Sequence, residues 1–151
     1  MSETRKSTSG TVIQILGCTV VALSRTQQTL SLSSGEAELY ALGTSILESL
    51  HIRNFVLETG FAKTCPILVH TDSSAANSMA TRFGTTRRTR HIDLRFLYLQ
   101  HLANSGTIHI DKIPGDQNTS DVLTKYVTPD TLRSHLEKLG LAYAHEYCDE
   151  N

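Results

Sequence analysis

Three cysteines, Cys18, Cys65 and Cys148, are all the thiols this chain has. Odd in number and far apart, they fit reduced thiols better than a disulfide framework, and the lack of any CxxC pair argues against a zinc site. No apolar run approaches the roughly 20 residues that a membrane helix needs. The first residues, MSETRKSTSG, have no signal-peptide core, so a cytoplasmic setting is expected, with the nucleus or a virus-like particle as variants. Internal repeats and low-complexity stretches are absent. Charge of one sign is lacking too: the formal net charge of −1 excludes a uniformly basic or acidic surface.

What is present is ordinary for a folded domain. The 151 residues are 39% hydrophobic and 19% charged, enough for one domain with a real core. One stretch stands apart. TRFGTTRRTRHIDLR carries Arg82, Arg87, Arg88, Arg90 and Arg95 against a single acid, Asp93. A concentrated basic segment can hold a polyanion even on a near-neutral protein. The tail HEYCDEN is acidic and reads as a solvated end.

GTVIQILG and CTVVALSR are β-branched runs meeting at Gly17, the pattern of an antiparallel hairpin. Leu39, Leu42, Ile46 and Leu50 then recur at steps of three and four, which predicts an amphipathic helix from about Ser34 to about Thr59. Ser33 and Glu36 form a capping-box pattern at its start, and Gly60 stops it. A third strand is expected at Pro66–Thr71, a short helix at Ser73–Ala80, and a helix from near His91 on the stripe Ile92, Phe96, Leu99 and Leu102. TIHIDKI alternates as a fourth strand, PGDQN is a turn, SDVLTKYV starts a helix, and Thr128-Pro129-Asp130 opens another that ends near Gly140. The order β-β-α-β-α-α-β-α-α gives an α/β class, a mixed sheet with helices packed on it. Residues 1–127 form the main unit, and 128–151 add a C-terminal helix and the acidic tail.

Three acids stand at element junctions: Glu38 in the first turns of the long helix, Asp72 at the end of the third strand, and Asp121 after the last strand. Carboxylates converging from different elements repel one another unless a cation lies between them, and Mg²⁺ prefers oxygen ligands of this kind. Two such ions can promote phosphodiester cleavage. The plainer reading is that Asp72 and Asp121 cap helices. Glu36 is accounted for by the capping box. Glu38, four residues before Leu42, borders the apolar stripe.

TRKSTSG, LSLSSGEAELYAL, VHTDSSAA, TRRTRHIDLRFLYLQ and NTSDVLTK together resemble the ribonuclease H domain of copia-type retrotransposon polyproteins, across roughly Thr4 to Val127. The resemblance implies a ribonuclease H-like sheet flanked by helices. It implies cleavage of the RNA strand of RNA–DNA hybrids with two Mg²⁺ or Mn²⁺ ions, a metal-bound water being the nucleophile. It also implies a reverse transcriptase domain of the same polyprotein as partner, and no membrane. By motif, Glu38, Asp72 and Asp121 become catalytic residues and metal ligands, and Ser73 or Ser74 takes over the capping. Arg87, Arg88 and Arg90 are expected at the hybrid's backbone, Arg90 having a structural role as its alternative. Ser33, Ser34 and Ser73 are expected near its sugar hydroxyls.

The chain also departs from the family. The family's first acid sits on a central strand upstream of TRKSTSG, between the hairpin and the strand ending at Asp72, and no counterpart is recognisable here. Its loss predicts unpaired edges on both neighbours and weak metal binding, hence weak or absent activity. The loop PGDQNTS carries no histidine of the kind some ribonucleases H use. His51, His70, His91, His101, His109, His135 and His145 are mostly read as satisfied structural or surface residues. Rival readings are a catalytically dead nucleic-acid-binding relic, a structural module tethering a polymerase, and an integrase-like core, the last disfavoured by SSGEAEL and SDVLTK.

Overall fold

The structure, a computed structural model, describes residues 6–28, 30–31, 33–74, 78 and 94–141. Strands β1 (Thr8–Ile15) and β2 (Cys18–Thr26) form the expected antiparallel hairpin, with an irregularity between Ile13 and Gln14. Helix α1 spans Ser34–Glu58 and β3 spans Ile67–Thr71. Helix α2 follows at Leu94–Asn104 and β4 at Ile108–Lys112, pairing parallel to β3. Two 3₁₀ turns, Gly115–Gln117 and Thr119–Leu123, lead to α3 at Pro129–Lys138.

The core lies between α1, α2 and the β3–β4 pair. Leu39, Leu42 and Ile46 of α1 bury against Ile67, Leu99, Leu102 and Ile108, with Leu50, Val69 and Ile110 packed at the margin. The helical stripe read from the sequence is therefore the buried face of α1. Ser33 caps α1, its side chain accepting the Glu36 amide proton at 3.2 Å. Of the second stripe, Ile92 and the Phe96 side chain lie outside the described residues, as does most of the short helix expected at 73–80.

The hairpin is seated differently, by polar contacts. Thr11 Oγ1 and Ser45 Oγ share a hydrogen bond of 2.7 Å, and Gln27 Nε2 donates to the Ala37 carbonyl at 2.7 Å. Toward the C-terminal elements, Thr19 Oγ1 donates to the Leu139 carbonyl and Ser24 Oγ to that of Leu123, both at 2.7 Å. Gly10 allows the closest approach. A Cβ there would lie 2.7 Å from the Ser120 carbonyl oxygen, so only glycine lets the second 3₁₀ turn rest on β1.

The hairpin turn carries strain. Leu16 (φ 51°) and Gly17 (φ 82°) are both left-handed, as a mirror-image two-residue turn requires, and Leu16 is fully exposed. A leucine gains no burial there and bears a steric penalty that asparagine tolerates better. Leu16→Asn is expected to stabilise the protein by about 0.5–1 kcal/mol, read as a higher denaturation midpoint.

One expected element is corrected. SDVLTKYV forms a single 3₁₀ turn, not the start of an α-helix. Pro129 disfavours helical backbone at Thr128 and has no N–H to extend a helix through that point, while β-branched Val122 and Thr124 add no propensity. Asn118 caps this turn by accepting from the Ser120 amide, so Asp121 does not serve as the cap.

Candidate active site

Among the described residues, β1 and β3 each have a partner on one side only. The described strands form two separate two-stranded sheets, β1–β2 and β3–β4. Between the open edges lies a cleft of about 350 Å³. Five consecutive residues of β1 line it, Gly10 to Gln14, and so do four of β3, Leu68 to Thr71, with Asp72 just beyond them. Side chains alternate across a strand, so an uninterrupted run means that the strand's edge, not a face, looks into the cleft. Ala41, Leu42, Ser45 and Ser49 of α1 make a floor of mostly small side chains. Among the described residues these two edges are unpaired, and both line one slot.

Two of the three proposed acids come to this slot. Glu38 and Asp72 both line it. Asp72 leaves β3 at a sharp turn in which the Ser73 amide donates to Thr71 Oγ1 at 3.2 Å. Described helical backbone resumes at Ser74, so the residue preceding it is Ser73 and not Asp72. Gly115 comes in beside Asp72, a Cβ on it falling 3.6 Å from Asp72 Oδ2. Asp121, on the second 3₁₀ turn, lines a neighbouring cavity with Asp116, Asp130 and His135.

The electrostatics tie the three together. The Glu38 residue is exposed at the rim, yet its carboxyl is pushed above the usual carboxylate range. Lost hydration is the main cause and the charge of Asp72 the next, with Asp121 adding to the rise and Lys125 opposing it. Lys125 responds in the complementary sense. Its hydrogen bond to Asp121 leads in holding the ammonium charged to higher pH than usual, against a smaller cost of dehydration, and Asp121, Asp72 and Glu38 all attract it.

The metal set is not closed as it stands. Among the described residues no three His, Cys, Asp or Glu side chains are placed to hold one ion. Asp121 is engaged on both oxygens, Lys125 Nζ donating to Oδ2 at 2.7 Å and Asn118 Nδ2 to Oδ1 at 3.1 Å. The carboxylates present do not by themselves fit a two-ion centre.

The other expected contacts fare variously. Arg87, Arg88 and Arg90 lie outside the described residues. Ser33 and Ser34 sit at the N-terminus of α1, and neither they nor Ser73 line the cleft. His135 is buried, and its Nδ1 has no hydrogen-bond partner among the described residues. Sequence reasoning passed over Asn118 and Lys125. The spacing Asn-x-x-Asp-x-x-x-Lys was the available signal, with three- and four-residue steps around Asp121.

No family model matches the chain, and no solved structure matches it. It is similar to the "Retrovirus-related Pol polyprotein from transposon TNT 1-94" of Nicotiana tabacum, with 27% identity over 139 residues. The similarity takes in 92% of this chain and 10% of the relative, so the chain spans about a tenth of that polyprotein. Among the described residues, no helix is long and apolar enough to cross a membrane.

Proposed function

We propose that this chain is a ribonuclease H-type domain of a retrotransposon polyprotein, one that acts on the RNA strand of RNA–DNA hybrids. One observation carries the reading: Glu38 and Asp72 line a single cleft, Asp121 is electrostatically coupled to Glu38, and the cleft is a strand-shaped gap. The gap falls between the hairpin and the strand that ends in Asp72, where the resemblance calls for one more strand. The similarity to a transposon Pol polyprotein supports the source.

In this reading Glu38, Asp72 and Asp121 supply three of the carboxylates for Mg²⁺ or Mn²⁺. The strand that belongs in the slot brings a fourth. Arg87, Arg88 and Arg90 hold the hybrid's phosphates, and Ser33, Ser34 and Ser73 approach it from the helix starts. A reverse transcriptase domain of the same polyprotein is the partner, and the setting is intracellular.

The test is cleavage of a labelled RNA–DNA hybrid with Mg²⁺. The chain alone is expected to cut weakly or not at all. A chain extended by an aspartate-bearing strand that fills the slot is expected to cut RNA in the hybrid and to spare DNA. Full activity of the unextended chain would refute the account of an incomplete site, and inactivity of both forms would refute the enzyme reading.

The ties on Asp121 favour a second reading, in which the fold persists as a catalytically dead hybrid-binding or structural relic. It predicts, for the binding form, salt-dependent hybrid binding with no Mg²⁺-dependent cutting in either chain.

A further inference from the structure

Beside one of the acids stands a lysine, placed where a cation is wanted. Lys125 lies four residues after Asp121, just beyond the 3₁₀ turn, and its Nζ sits 2.7 Å from Asp121 Oδ2. The backbone makes that placement firm, since the Lys125 amide donates to the Asp121 carbonyl at 2.9 Å. Asn118 holds the other carboxylate oxygen, so Asp121 is both oriented and neutralised from within its own turn. The same ammonium attracts Asp72 and Glu38 across the slot. Its side chain remains 59% exposed, so the ion pair is open to water and readily exchanged.

We propose that Lys125 is the resident counter-cation of this acid cluster, and that a divalent ion binds only by displacing its ammonium from Asp121. An ion about 2.1 Å from Oδ2 and an ammonium 2.7 Å from the same oxygen would stand only about 4 Å apart even on its two lone pairs, where their positive charges repel strongly and favour release of the lysine. Asn118 is neutral and on the other oxygen, so it stays and keeps the carboxylate aimed. Lys125 then has two states, on Asp121 when the ion is absent and swung to solvent when it is bound. It is a positioning residue, not a catalytic one. The inference rests on the nuclease reading only for the identity of the ion.

Mn²⁺ binding to the whole chain, followed by electron paramagnetic resonance, tests this directly. Lys125→Met keeps the aliphatic stem and removes the charge, and it is expected to tighten Mn²⁺ binding about tenfold. Lys125→Arg keeps the charge and is expected to bind as the unaltered chain does. Adding Asp121→Asn to Lys125→Met should erase the gain. Circular dichroism checks that each variant folds, with Lys125→Gln replacing any that does not. Equal or weaker binding in the charge-removed variant overturns the inference, and so does a gain that survives Asp121→Asn. Hybrid cleavage separates the two ideas. A tenfold gain without cutting in any form leaves the counter-cation and removes the nuclease, whereas cutting by the strand-completed chain with no gain does the reverse.

Discussion

Asp72→Asn is expected to lower hybrid cleavage by about a hundredfold or more in a chain whose slot has been filled. The loss of one carboxylate from a charged cleavage site removes several kcal/mol of electrostatic support, and each 1.4 kcal/mol or so is tenfold in rate. Cleavage unchanged within threefold would show that Asp72 has no part in the chemistry. A second readout needs no activity. Because the charge of Asp72 helps to raise the Glu38 carboxyl, the asparagine variant should let Glu38 titrate at lower pH, visible by carboxyl NMR in the unextended chain. The sign for stability follows. An acid raised in the folded state takes up protons more readily there than when unfolded, so its presence costs stability as the pH climbs from near 4.5 through the raised value. That cost should shrink in the variant.

Ile46→Ala is expected to cost about 2–5 kcal/mol, the range for truncating a buried aliphatic side chain without collapse of the space. Ile46 is wholly buried on α1, in the cluster that also takes in Ile67 of β3 and Ile108 of β4. Urea denaturation followed by circular dichroism gives the value. The comparison is Val20→Ala on the hairpin, where the residue is 48% exposed and the change should stay within about 0.5 kcal/mol. Equal losses at the two sites would mean that the hairpin shares the apolar core. The contacts give it a separate, hydrogen-bonded seat.

Much of the architecture was legible because it rests on periodicity. The stripe Leu39, Leu42, Ile46 marked α1 to within a residue of its observed ends, and the alternation in TIHIDKI marked β4. The turn after β4 was not, since a single 3₁₀ turn leaves no repeat and its nature is decided by a proline several residues later. For the site, strand-end and helix-start positions picked out Glu38 and Asp72 at the cleft. The plainer reading of Asp121 as a cap failed because Asn118, three residues earlier, had the better oxygen for the task. Lys125 was invisible for a different reason. A lysine four residues from an acid is common on any surface, and only its electrostatic attraction to two further carboxylates, both remote in sequence, gives it meaning.

The acids ride on different pieces of the molecule. Asp121 belongs to the turn that leans on Gly10 and takes the Ser24 hydroxyl through Leu123, so it moves with the hairpin. Asp72 moves with β3, and Glu38 with the helix beneath them both. In the proposed nuclease the gap between the half-sheets would therefore act as a calliper: backbone filling it would set how far apart the carboxylates stand, making reactivity a matter of assembly before it is one of chemistry.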